Sequence, residues 1–272
     1  MAINETIGLV ASFITAGGKA LSRRATNVTI MDTSSFTNVV INKNYLGTAG
    51  LDSGWYVKRN LDLTNVFTDI MGRQPRPNEN VRFILESDVA VIGDYVGTGY
   101  IKLMASGLSG GYWENGGKIE LHNYGWISGL GRSSEISSSF KAPGGTAISA
   151  ITPLLVHNYG LITGGGGSGG IYDGNWGSCY SGAGAPLGNG YPPRSQPATL
   201  LQPSTGYRTT SWSQPFQSGK GGAPGEPGES VPPINWSDLT HPGDSGGLPG
   251  FVSEGNVTII NKGSGRTKGM GA

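Results

Sequence analysis

Leu154-Leu155-Val156-His157-Asn158-Tyr159-Gly160-Leu161-Ile162-Thr163 runs directly into Gly164-Gly165-Gly166-Gly167-Ser168-Gly169-Gly170. The first part reads as two short apolar strands joined by an Asn-Tyr-Gly turn. The second part fits no ordinary regular element. Each Gly in a helix or strand interior costs roughly 0.5–1 kcal/mol of extra chain entropy relative to Ala. Six glycines in seven residues must therefore serve another kind of packing.

Outward from this stretch, the strand-turn-strand unit recurs. Ile119-Glu120-Leu121-His122-Asn123-Tyr124-Gly125-Trp126-Ile127-Ser128-Gly129 matches Leu154–Gly164 at an offset of 35. Val257-Thr258-Ile259-Ile260-Asn261-Lys262-Gly263-Ser264-Gly265 is a degenerate third copy. A strand-plus-turn unit repeated with inserts implies stacking in the manner of a solenoid, the inserts projecting as loops. His122 and His157 are paired members of the repeat, each beside an Asn, which points to a structural role.

The chain holds 48 Gly and 16 Pro in 272 residues, distributed unevenly. Residues 1–105 contain 10 Gly and 2 Pro; residues 106–272 contain 38 and 14, about 31% of that segment. Without a period, such a composition usually means disorder. Here the segment keeps 15 aromatics, whereas disordered chains are aromatic-poor. Its glycines also have a period: Gly164, Gly167 and Gly170 are three apart, as are Gly219, Gly222, Gly225 and Gly228. Three residues per turn is the repeat of polyproline-II-type helices, and Gly222-Ala223-Pro224-Gly225-Glu226-Pro227-Gly228 is collagen-like. The triplets are too few for a collagen rod. Short helices of this kind can instead pack with glycine faces touching and backbone hydrogen bonds running between neighbours, helped by weak Cα–H···O contacts. A helical bundle and a doubly wound α/β enzyme are excluded.

Residues 1–105 are more conventional. Val28–Met31, Val39–Ile41, Val81–Leu85, Val89–Ile92 and Tyr100–Met104 read as strands. Leu63, Val66, Phe67, Ile70 and Met71 form a helical stripe ending at Gly72. Ile3, Ile7, Val10 and Ile14 also fall at helical spacing, and the same region resembles a secretion signal only faintly because Glu5 replaces a basic start. Synthesis in the cytoplasm without a signal peptide is the expectation. No run reaches the roughly 18 apolar residues of a membrane span. Net charge is +1, so no basic surplus exists to neutralise nucleic-acid phosphates. Cys179 is alone, which precludes an internal disulfide.

Apolar strand, Asn-x-Gly-x-Ile-x-Gly and a glycine run, repeated with variable aromatic inserts, resemble the tail-fibre-tip adhesins of T-even-type bacteriophages. The residues that carry the likeness are Asn123–Gly129, Asn158–Gly170 and the tail Asn261–Gly271. In that family an N-terminal domain caps a trimeric long tail fibre, and a polyglycine-II sandwich carries hypervariable loops that bind bacterial outer-membrane proteins. The resemblance therefore implies a mainly β and irregular fold. Residues 1–105 would form a small α+β or β-solenoid-like fibre-attachment domain, assigned by position. Residues 106–272 would form a glycine-rich, receptor-binding polyglycine-II helix sandwich with long distal loops. Gly164, Gly167, Gly170, Gly219, Gly222, Gly225 and Gly228 are its expected scaffold glycines. The expected partners are a trimeric tail-fibre protein and an outer-membrane protein or lipopolysaccharide, with no nucleic acid. The expected location is the distal tip of the fibre on the virion.

The inserts are Arg132–Lys141, Ile171–Ser181, Tyr191–Ser218 and Glu229–His241. They carry Tyr172, Trp176, Tyr180, Tyr191, Arg194, Tyr207, Arg208, Trp212, Phe216 and Trp236 among small polar residues. Tyr and Trp offer large contact area at low entropy cost, and binding hot spots are enriched in Trp, Tyr and Arg. These ten are the expected receptor-binding residues. The same aromatics could instead pack against the lattice and close its edges.

Catalytic readings fare worse. Gly243-Asp244-Ser245-Gly246-Gly247 reproduces the string around a trypsin-like nucleophile, but a nucleophilic Ser needs a His base and an orienting carboxylate. Only His122, His157 and His241 exist, none in that family's setting. Two local patterns are absent: a Cys pair or His-x-x-x-His for metal, and Gly-Lys-Ser/Thr for phosphate. No catalytic residue, cofactor or metal is expected. A fibre-borne glycan depolymerase using Asp173, Asp238, Glu226 or Glu229 is the enzymatic alternative. A glycine-rich structural or ice-binding protein is the other, though its Gly-x-y rows here are irregular.

Overall fold

The computed structural model describes residues 35–46, 51–96, 103–104, 106–114, 116–134, 143–171, 180–190, 196–207, 217–236, 239–241 and 243–272. It is mostly β-strand with few helices. In chain order these are β1 (Phe36–Ile41), α1 (Lys43–Leu46), β2 (Leu51–Asp52), β3 (Trp55–Arg59), β4 (Leu61–Asp62) and α2 (Leu63–Met71). Then follow β5 (Asn80–Leu85), β6 (Val89–Ile92), β7 (Tyr95–Val96), β8 (Leu103–Met104), β9 (Leu108–Ser109), β10 (Ile119–Asn123) and β11 (Trp126–Ser128). The chain finishes with β12 (Ile148–Asn158), β13 (Leu161–Thr163), β14 (Ile234–Trp236), β15 (Leu239–His241), β16 (Ser253–Asn261) and β17 (Arg266–Lys268). The helical periodicity at Ile3–Ile14 and the strand at Val28–Met31 lie outside the described residues.

Each repeat contributes one strand to each of two parallel stacks. The first is β1-β5-β10-β12-β16 and the second β3-β6-β11-β13-β17, every neighbouring pair parallel. Side chains alternate between faces along a strand, so registered neighbours place like residues in rows. Val39, Phe83, Leu121 and Val156 form one such row, each with no exposed surface. Trp113 meets Phe67 and Phe83 edge-on at 5.7 and 5.8 Å, closing this core against α2. The helix buries Leu63, Val66 and Phe67. It starts where Asp62 accepts from Thr64 N–H and Asn65 N–H, and stops at Gly72 with φ +67°, as its spacing predicts.

The repeat's Asn forms a ladder. Asn123 Nδ2 donates to Asn158 Oδ1 at 2.8 Å, and Asn158 Nδ2 to Asn261 Oδ1 at 2.7 Å. Asn123 and Asn158 are fully buried, and paired amides remove the desolvation cost that a lone one would incur. Thr163 and Ser128 make a second polar rung at 2.8 Å. The degenerate third copy thus stacks in register on the second. Two further strand pairs, β1 with β3 and β5 with β6, extend the stacks below the first copy. Pairing therefore runs across residue 105, since β5 and β10 are hydrogen-bonded neighbours.

Beyond Thr163 the chain is neither helix nor strand through Ile171, yet residues 164–171 are all buried. Their backbone carbonyls are taken in three directions. Those of Gly164, Gly167 and Gly170 accept from the N–H of Gly225, Gly222 and Gly219. Those of Gly165 and Ser168 accept from Gly250 and Gly247, and that of Gly166 from Arg132. Donors follow the same step of three: Gly166 and Gly169 donate to Ala185 and Gly182, Gly167 and Gly170 to Glu226 and Glu229. A three-residue step on every neighbour is what a threefold extended helix presents. The glycine requirement is steric. A Cβ at Gly164, Gly167 or Gly169 would lie 1.9 Å from the carbonyl oxygen of Gly250, Gly247 or Gly219 respectively.

The 28-residue insert expected at Tyr191–Ser218 is not one excursion. Ser204 N–H donates to Ala183 O, and Ser204 O accepts from Gly221 N–H, so this part is another rib among the glycines. Leu200 is fully buried against Ala90, Ile92 and Trp126.

Candidate functional site

The ribs order the ends of the inserts. Segments 219–225 and 244–250 run antiparallel to 164–170, because Gly225 and Gly250 meet Gly164 while Gly219 and Asp244 meet Gly170. Residues flanking the inserts therefore collect at the Gly170 end. Gly170 N–H donates to Glu229 O at 2.8 Å, and Val231 N–H to Asp244 O at 2.9 Å. Tyr207 N–H reaches Tyr180 O at 2.8 Å, and Ser218 N–H reaches Tyr207 O at 3.1 Å. Ile171, Tyr180 and Val231 are buried beneath this end. The rings of Tyr180 and Tyr207 meet edge-on at 6.4 Å, a favourable aromatic geometry.

This arrangement sorts the expected binding residues. Tyr180 is only 7% exposed and supports the base of the inserts. Tyr207 is half-buried beside it. Trp236 lies on the β14–β15 hairpin, opposite Leu239. Tyr172, Trp176, Tyr191, Arg194, Arg208, Trp212 and Phe216 lie outside the described residues. All seven scaffold glycines are described, and a Cβ at each would meet backbone. The run Gly219–Gly228 is not one rib, however, because Gly225 (φ +74°) stands in a turn where Glu226 N–H donates to Ala223 O and the chain folds back on Gly222. The convergence of the flanks was not legible beforehand, because rib direction is set by backbone bonds that carry no side-chain signature.

The protease-like string belongs to a rib. Gly247 N–H donates to Ser168 O, and Gly246 N–H to Ser230 Oγ. His122 and His157 stand on β10 and β12. Of the depolymerase candidates, Glu226 is paired with Lys268 and Glu229 accepts from Lys220 N–H. Asp173 and Asp238 lie outside the described residues.

The phage tail fibre adhesin Gp38 family matches residues 55–271, so the likeness begins well before residue 106. The crystal structure of the gp37-gp38 adhesin tip complex of the bacteriophage S16 long tail fibre contains a similar fold. The TM-score is 0.58 at 19% identity, over 96% of each chain. No curated protein matches the chain.

Proposed function

This chain belongs to the phage tail fibre adhesin Gp38 family, and on that premise we propose that its inserts grip the host surface from the tip of a long tail fibre. The observation that carries this reading is the convergence of the insert flanks at the Gly170 end of a lattice whose glycine positions have no room for a Cβ. A scaffold held chiefly by backbone hydrogen bonds leaves the insert sequences free to vary. The lattice is read as a polyglycine-II sandwich, its step of three on each neighbour being the supporting feature. Residues 106–272 carry recognition, and residues 1–105 dock on a trimeric tail-fibre protein, as gp38 joins gp37 in the S16 complex. The receptor is an outer-membrane protein or lipopolysaccharide. Tyr172, Trp176, Tyr191, Arg194, Tyr207, Arg208, Trp212, Phe216 and Trp236 make the contacts, and Tyr180 holds their base.

Binding without bond cleavage is the proposed chemistry. Glu226 and Glu229 are engaged in holding ribs and near-end turns rather than facing one another across a cleft. The test is adsorption to host cells and to outer-membrane vesicles. Trp212→Ala and Phe216→Ala should each weaken adsorption more than ~10-fold, as hot-spot truncations do, with the melting temperature unchanged. Loss of melting temperature with adsorption intact would overturn the recognition role. Sugar released from the vesicles would replace adhesion with glycan cleavage.

A further inference from the structure

β10 and β12 are parallel and in register, with His122 directly opposite His157. Leu121 points into the core with no exposed surface, so Glu120 and His122 occupy the opposite face of β10. Three side chains of metal-ligand type meet there. The His122 and His157 rings are 4.8 Å apart between centroids. His122 Nε2 lies 3.6 Å from Glu120 Oε2. One ligand atom from each of the three residues lies within 4.8 Å of the other two.

A structural role in the repeat accounts for two imidazoles meeting edge-on but not for the unpartnered Nε2 of His122. His122 Nε2 is buried and has no hydrogen-bond partner. A buried polar atom left in that state is rare in native proteins and calls for an ion or other partner. Arg82 meanwhile binds Glu120 through Oε2, with Nε and a guanidinium NH2 each at 3.1 Å. It thereby orients the carboxylate and leaves Oε1 available. Outer-shell partners of this kind are a regular feature of metal-ligating carboxylates.

We propose that Glu120, His122 and His157 bind one divalent transition-metal ion of the zinc class. Zinc bonds His nitrogen at about 2.0–2.1 Å and carboxylate oxygen at about 2.0–2.2 Å, in a tetrahedral arrangement. Ligand atoms must then approach to roughly 3.4 Å of one another, and side-chain rotation covers the difference from the present spacing. Two imidazoles favour zinc, copper or nickel over calcium and magnesium, which take oxygen ligands. The fourth position falls to water or an external donor. Local spacing patterns miss this site, because two of its ligands stand 35 residues apart and only the strand register joins them. An ion here would tie β10 to β12 across the stack.

The untagged full chain, stripped with chelator, is titrated with Zn2+ by calorimetry and with Co2+ by visible absorption. One equivalent should bind, with the absorption of a four-coordinate nitrogen/oxygen site and a higher melting temperature, as for any native-state ligand. His122→Gln and His157→Gln should each weaken binding more than ~100-fold, beyond the 10–100-fold of an outer-shell loss. Because the chain has only three histidines, imidazole NMR resonances supply a check that needs no variant. Two of the three should shift with Zn2+ while that of His241 stays. No saturable binding by about 1 mM, unchanged affinity in the folded Gln variants, or equal shifts of all three resonances would each overturn the site.

Discussion

The strand stacks and the glycine lattice bury backbone by opposite means. In the stack formed by β1, β5, β10, β12 and β16, every second side chain points inward, and Val39, Phe83, Leu121 and Val156 supply the atoms that fill the core. Main-chain bonds run within the sheet, to the strand on either side. Around Gly164–Gly170 the only side chain of the segment is the small buried hydroxymethyl of Ser168, and carbonyls are satisfied in three directions by separate ribs. One region is solid because atoms are present and the other because they are missing. A substitution is therefore dangerous in opposite senses in the two regions.

The largest expected effect is Gly167→Ala. Its new methyl would sit 1.9 Å from Gly247 O, and nearby stands Leu248 O at 2.8 Å. Both are backbone atoms that cannot swing aside, so ribs must separate and lose their mutual hydrogen bonds. The loss should exceed about 4 kcal/mol, in the range reserved for severe packing faults, seen as loss of soluble protein or of the cooperative melt. Leu121→Ala works by subtraction and should cost about 2–5 kcal/mol, measured by denaturant unfolding. If the added methyl at Gly167 proves milder than the cavity at Leu121, the contrast between the regions fails.

A smaller effect separates them by charge. Glu79 is bound by Arg73 through both oxygens at 2.6 and 2.8 Å, and accepts further bonds from Thr37 Oγ1 and Arg76 N–H. These partners, the Arg73 hydrogen bonds foremost, hold its pKa down to about 2 from the ordinary 4.5. The folded state thus binds this proton less readily than the unfolded chain. The stabilisation is present above pH 4.5 and drains away as pH falls towards 2. Glu79→Gln should remove that acid-side loss, costing about 1 kcal/mol at neutral pH for a partly exposed pair. Thermal melts of both proteins across that window supply the measurement.

The upper part of the stacks was legible because rung residues repeat by identity. Asn123, Asn158 and Asn261 announce the ladder, and Tyr124 and Tyr159, stacked at 4.7 Å, mark the same turn. The lower rungs were not recognised as copies. There Leu85 takes the place of Asn, and Glu86-Ser87-Asp88 makes the turn in place of Tyr-Gly. Only alternation of apolar residues remained, which any half-buried strand shows. In the lattice the step of three was readable at Gly164, Gly167 and Gly170 because every third residue faces the same neighbouring rib. Which rib touches which was not, since Gly167 and Gly170 offer identical chemistry to every neighbour. Rib Ser204–Tyr207, with a single glycine at Gly206, passed for loop for that reason.

The step of three has a thermodynamic consequence. Unfolding the stacks uncovers hydrocarbon, which raises the heat capacity of the chain, whereas unfolding the ribs uncovers chiefly amide groups, whose contribution has the opposite sign. The two partly cancel, so the stability curve of this chain is flatter than its length implies. Cold weakens a hydrocarbon core but takes less from contacts made chiefly by amide groups, so cooling should cost the end that carries the inserts less than it costs the strand stacks.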